Sequence, residues 1–155
     1  MNGLLATELQ GTAKVLLDTN VFIYYLQHEP RLEPCVAPVF EMIDRGEIQA
    51  FTSVITLLEV LVQPIRHGRR DLANRYAEIL SQSPNISLIP VDEAIARRGG
   101  EIRATMPGNI KAPDAIQLAT AEAVSATVVI TNDRDMRTFS GARVLLVEDY
   151  IGGHA

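Results

Sequence analysis

Short apolar runs alternate with segments of helical periodicity along this chain, and that alternation narrows its possible folds more than any other feature. Residues 14–17, 48–51, 86–89, 127–130 and 143–147 are short stretches rich in Val, Ile and Leu. Most are continuous rather than alternating, as expected of strands buried on both faces of a parallel sheet. Helix-length segments with clear punctuation lie between them. Residues 20–27 read as a first helix. Pro34 in its first turn and Gly46 after its last bound a second over 33–45, with Pro38 bending its start. Thr52 and Ser53 offer an N-cap to a third, which Gln63 and Pro64 end. Leu72, Tyr76, Ile79 and Leu80 then recur at helical spacing. Asp92 caps a helix reaching about Thr105, Pro113 opens one reaching about Ser125, and 133–139 form a short last one. The expected fold is a single α/β domain, a parallel sheet of about five strands flanked by helices on both faces. It is expected to span 14–150, after a loose N-terminal extension at 1–13 and before a fraying tail from Gly152 to Ala155.

Composition excludes several classes. A chain of 155 residues suits one core, and 47% hydrophobic with 21% charged residues is not a disordered composition. Every apolar stretch breaks well short of the roughly 18–20 residues of a membrane span. No basic segment precedes the first apolar residues, so they do not read as a secretory signal. Cys35 is the one cysteine, which rules out an intrachain disulfide and fits a cytoplasmic location. His28, His67 and His154 are scattered, with no zinc spacing. The net charge of −5 argues against nucleic-acid binding on the whole-molecule average. The distribution is less uniform: residues 60–113 hold eight bases and five acids. Arg66, Arg69, Arg70, Arg97, Arg98 and Arg103 are candidates for phosphate contact, with a solvated helical face as the alternative.

Four carboxylates interrupt the apolar segments. Asp18 ends Val15-Leu16-Leu17, Glu59 lies between Leu58 and Val60, Asp114 precedes Ala115-Ile116, and Asp133 follows Val128-Val129-Ile130 across Thr131-Asn132. Desolvating an unpaired carboxylate costs several kcal/mol or shifts its pKa. No Lys or Arg lies within three residues of Glu59, and only Lys111 lies that close to Asp114. A hydrated divalent cation compensates all four if they converge. In an open α/β sheet the place to converge is the carboxyl edge of the strands. Capping is the competing explanation for Asp18, Asp114 and Asp133. It does not serve Glu59, whose place inside a helix and whose apolar neighbours suggest burial.

The four segments together resemble the motifs of the PIN-domain nucleases. Leu16-Leu17-Asp18-Thr19-Asn20-Val21-Phe22-Ile23 resembles the opening motif and Thr56-Leu57-Leu58-Glu59 the second. Pro113-Asp114-Ala115-Ile116-Gln117-Leu118-Ala119-Thr120-Ala121 resembles the third and Thr131-Asn132-Asp133-Arg134-Asp135-Met136 the fourth. The likeness runs from about Lys14 to Val147, and the compact size is similar to that of the toxins of VapBC-type toxin–antitoxin pairs. The resemblance implies an endoribonuclease dependent on Mg²⁺ or Mn²⁺, a homodimer, and inhibition by a small cognate antitoxin protein. It places Asp18, Glu59, Asp114 and Asp133 on the catalytic and metal-holding positions, Glu59 in direct contact or through water. Asn20 and Thr131 fall on supporting positions, and Asp135 is an extra carboxylate beside the fourth motif. The reaction so implied is in-line hydrolysis of RNA phosphodiesters by a metal-activated water. No histidine is placed for a metal-free mechanism, and no Gly-x-x-x-x-Gly-Lys loop is present for nucleoside triphosphates. The rival readings are a catalytically silent PIN-like domain that binds RNA or protein, a receiver or dehalogenase-like domain, and a purely structural α/β domain. A receiver wants an acidic pair near the first strand, and a dehalogenase-like enzyme a second Asp where this chain has Asn20. Val21, Phe22, Tyr24, Tyr25 and Leu26 exceed one buried helix face, so they serve either core packing or a dimer or antitoxin surface.

Overall fold

The computed structural model describes residues 4–152, so the expected fraying of Gly153 to Ala155 lies outside the described residues. Five strands form one parallel sheet: β1 (Lys14–Leu17), β2 (Gln49–Ser53), β3 (Ile86–Ile89), β4 (Val128–Thr131) and β5 (Arg143–Leu146). Their spatial order is β3-β2-β1-β4-β5. The chain therefore works outward from β1 in one direction, then returns to β1 and works outward in the other. Such a reversal opens a crevice between the carboxyl ends of the two central strands, here β1 and β4.

Seven helices cover the sheet: α1 (Leu4–Glu8), α2 (Thr19–Leu26), α3 (Glu33–Asp44), α4 (Val54–Arg66), α5 (Arg70–Gln82), α6 (Glu93–Thr105) and α7 (Ala112–Ala123). The period-two alternation of the central strands divides the core in two. Val15 and Leu17 of β1, with Val128 and Ile130 of β4, face α1 to α5. Leu16 and Val129 face the opposite way, toward Ile95 and Ile102 of α6 and Leu118 and Ala119 of α7. The fold class is thus as expected, with helices on both faces. Asp92 caps α6 by accepting from Ile95 N–H at 2.8 Å, as its position predicts.

Two expectations are corrected. The described part of the extension, residues 4–13, is not loose, because Leu5 and Leu9 are fully buried in the larger core and α1 packs on α3. Leu5 lies within α1 and Leu9 in the turn that follows it. The helix carrying Glu59 does not end at Gln63-Pro64 but continues to Arg66. Pro64 keeps helical φ and forfeits one hydrogen bond, its ring is buried, and Gly68 at φ +71° ends the turn instead. The short helix expected over 133–139 is present as a 3₁₀ helix, Arg134–Thr138, capped by Asp133. The surplus apolar residues of α2 resolve toward packing. Val21 and Phe22 are fully buried, while Tyr24, Tyr25 and Leu26 are half-buried against the same core. Tyr25 stacks on Phe40 with centroids 4.0 Å apart, and Phe22 meets the same ring edge-on at 5.5 Å.

Candidate functional site

The crevice at the β1/β4 reversal is where the four carboxylates meet. Asp18, Glu59, Asp114 and Asp133 line one cavity of about 370 Å³, together with Thr19, Asn20, Ile23 and Pro113. Each arrives from a different element. Asp18 follows β1, with its N–H donating to Ile130 O of β4 at 3.0 Å. Glu59 projects from the second turn of α4, Asp114 from the first turn of α7, and Asp133 from the turn after β4.

Asp18 is the most buried of the four, at 7% exposure. Its Oδ1 accepts from Thr19 N–H at 2.8 Å and its Oδ2 from the Thr131 hydroxyl at 2.7 Å. Burial pushes its pKa up to about 6; the two hydrogen bonds pull against this, and the charges of Asp114 and Glu59 add to the rise. Burial likewise raises the pKa of Asp114, opposed by the Lys111 N–H at 3.0 Å and reinforced by Asp133 and Glu59. Asp133 Oδ1 accepts from Asp135 N–H at 2.9 Å. Three of the acids are thus helix or turn caps as well as cavity walls. Glu59 caps nothing; its Oε1 accepts from the Thr19 hydroxyl at 2.7 Å. It is half-buried rather than enclosed, because its neighbour Leu58 points outward and is 61% exposed.

The lining fits a divalent cation by the chemistry of its donors. Four carboxylates face one space, and none of the lining residues carries a positive charge. Among the described residues no three His, Cys, Asp or Glu side chains are gathered into a ready-made metal cage. A hard divalent ion bound largely through its own waters needs only one or two direct carboxylates, so the lining need not form such a cage to fit one.

Of the supporting residues, Asn20 lines the cavity. Thr131 donates to Asp18 and accepts from Asp133 N–H at 3.0 Å, so one hydroxyl ties two of the acids together. Asp135 is not in the lining. Its carboxylate lies over Gly108, where a Cβ would stand 2.9 Å from Oδ1, and so it packs against the α6–α7 loop. None of the six candidate arginines lines the cavity. Arg69 is paired with Asp71, Arg97 with Glu93, and Arg98 with both Glu101 and Glu122. Arg103 Nε donates to Ile110 O at 3.1 Å. Arg66 and Arg70 are exposed and form no ion pair among the described residues. Exposed Lys111 stands at the head of α7 beside Asp114 and was not among the candidates. Sequence reasoning also missed a set of buried polar side chains behind Glu59, namely Thr19, Thr52, Thr56 and Gln117. Their signal is a polar residue within an apolar run, as in Ile116-Gln117-Leu118.

The PIN domain family matches the chain over residues 15–142. No curated protein sequence matches it significantly. Among solved structures, FitAcB from Neisseria gonorrhoeae is 28% identical, covering 86% of this chain and 98% of that one, with a TM-score of 0.66. DNA-bound VapBC from Salmonella typhimurium is 21% identical over 87% and 98% of the respective chains, at a TM-score of 0.68. Mycobacterium tuberculosis VapC20, described as a sarcin–ricin loop cleaving toxin, is 14% identical over 74% and 86%, at 0.62.

Proposed function

This chain belongs to the PIN domain family, and we propose that within it the protein is a metal-dependent endoribonuclease and the toxin of a toxin–antitoxin pair. The observation that carries the reading is the convergence of Asp18, Glu59, Asp114 and Asp133 on one cavity with no cationic side chain among its lining. Asp18, Asp114 and Asp133 would hold Mg²⁺ or Mn²⁺, and Glu59 would hold it through water or orient the attacking water. Bound there, the ion supplies a Lewis acid that makes water a nucleophile at neutral pH and offsets charge on the phosphate. The protein's part is placement. Thr131 and Thr19 N–H fix both oxygens of Asp18, Lys111 N–H fixes Asp114, and Asp135 N–H fixes Asp133. Attack in line on phosphorus releases one ribose oxygen and leaves the cut strand as two fragments.

RNA as substrate is supported by VapC20, which shares the fold and is described as cleaving the sarcin–ricin loop. An antitoxin partner is supported by the neighbours solved as toxin–antitoxin complexes. A cytoplasmic homodimer completes the reading; no described helix is long and apolar enough to cross a membrane. RNA cleavage measured with Mg²⁺ or Mn²⁺, with chelator, and with Asp18→Asn tests it. The expected outcome is cleavage only with metal, reduced about 100-fold or more by the substitution. Undiminished cleavage by a folded Asp18→Asn protein would refute the proposed role.

A further inference from the structure

We propose that Thr19 is the positioning residue for Glu59. The inference rests on the nuclease reading above and concerns how one of its four acids is aimed.

Thr19 touches two of the acids at once. Its N–H donates to Asp18 Oδ1 at 2.8 Å and its hydroxyl to Glu59 Oε1 at 2.7 Å. Its side chain therefore sets where one carboxylate stands relative to the other. Behind it, the Thr19 hydroxyl oxygen is 3.0 Å from that of Thr56, which is 2.6 Å from that of Thr52. Gln117 Nε2 donates to the Thr56 oxygen at 2.8 Å, while Gln117 Oε1 accepts from Ser53 N–H at 3.2 Å. Thr52, Thr56 and Gln117 are all within 1% of complete burial.

Hydrogen accounting fixes the direction of this relay. Ser53 N–H can only donate, so the Gln117 amide has one orientation, with its NH₂ toward Thr56. The Thr52 hydroxyl donates to Leu17 O at 2.7 Å, because a carbonyl can only accept. Thr52 has no second hydrogen, so Thr56 must donate to it. Thr56 then has only a lone pair for Thr19. The single hydrogen of Thr19 faces two acceptors, Thr56 and the closer Glu59 oxygen. The closer Glu59 oxygen takes it, so Thr19 commits its one donor to the cavity wall and none to the buried hydroxyls. The buried set ends instead at the Leu17 carbonyl, through Thr52.

The test pairs a conformational readout with a kinetic one. Thr19→Val keeps the branched shape and the N–H to Asp18 but removes the hydroxyl, and Thr19→Ser restores it. NMR couplings on metal-free protein report the Glu59 side-chain rotamer, and steady-state RNA cleavage reports kcat and KM. The expected result for Thr19→Val is a Glu59 side chain averaging over rotamers, with kcat down about 10-fold or more and KM within about twofold. Thr19→Ser returns both to wild type. A Glu59 side chain that keeps one rotamer in Thr19→Val overturns the proposal whether or not RNA is cut. So does unchanged kcat in Thr19→Val beside an inactive Glu59→Gln. If wild type cuts no RNA, the nuclease reading falls while the rotamer measurement still decides the positioning role. Should Thr19→Val fail to fold, Thr19→Ala, which also removes the hydroxyl and keeps the N–H to Asp18, carries the same measurements.

Discussion

Asp18 is a carboxylate whose burial works against the fold whenever no cation compensates it. Its pKa is raised from 3.8 to about 6, so between those values the folded protein holds a proton that the unfolded chain has released. The linkage sign follows: stability contributed by this group is present below pH 4 and lost as pH rises toward 6, at up to about 1.4 kcal/mol per pH unit. This runs opposite to the usual behaviour of an ion-paired Asp. Asp18→Asn removes the titration and keeps the size. Metal-free Asp18→Asn is expected to be more stable than wild type at pH 7, with the gap closing as pH falls from 6 to 4. Urea titrations of both proteins in chelator, at several pH values, measure that gap. A gap that is constant with pH would remove the electrostatic account of Asp18. The same residue shows why the site was half legible in the sequence. A lone acid after an apolar strand stands out, but its partner Thr131 lies 113 positions away, and only the β1–β4 pairing brings the two together.

At the scale of elements, legibility followed the reach of the forces involved. Strands and caps depend on near neighbours, so β1, the Asp92 cap and the Gly46 stop could be read directly. The fate of α1 could not, because Leu5 and Leu9 are buried by α3 and the segment after β5, which are distant in sequence. Pro64 misled for a similar reason: its local cost is one hydrogen bond, and burial of its ring offsets that. The pairing of the arginines depends on distant contacts in the same way. Arg98 meets Glu101 on its own helix, but also Glu122 of α7, 24 positions on, which accepts from it at 2.6 Å. Helix α1 yields a direct prediction. Leu5→Ala and Leu9→Ala should each cost about 2–5 kcal/mol of unfolding free energy, the range for truncating a fully buried Leu. Urea unfolding measures this. A cost below about 0.5 kcal/mol for both, the range of surface substitutions, would mean that α1 does not belong to the core.

For the whole molecule, the proposed RNA cleavage would require bringing a polyanion to an acidic cleft on a protein of net charge −5. Formal counting of basic residues overstates the means available, because ion pairing changes which of them can answer to phosphate. Arg97 and Arg98 meet Glu93, Glu101 and Glu122, so their fields are largely cancelled before RNA arrives. Arg66 and Arg70 flank the short α4–α5 loop, exposed and without an acidic partner among the described residues. Each phosphate neutralised on a single strand contributes about −0.7 to the slope of log affinity against log salt. Arg66→Gln with Arg70→Gln should therefore make that slope shallower by about 1.4 and weaken binding across RNA sequences alike. Arg97→Gln with Arg98→Gln should leave the slope nearly unchanged. The comparison is made by RNA-binding titrations across a salt series, with catalysis suppressed by chelator so that only association is read. Equal losses of slope in the two double variants would show that ion pairing does not govern which arginines meet the RNA. A flat response in wild type would move recognition away from the basic residues altogether, toward base stacking and RNA shape.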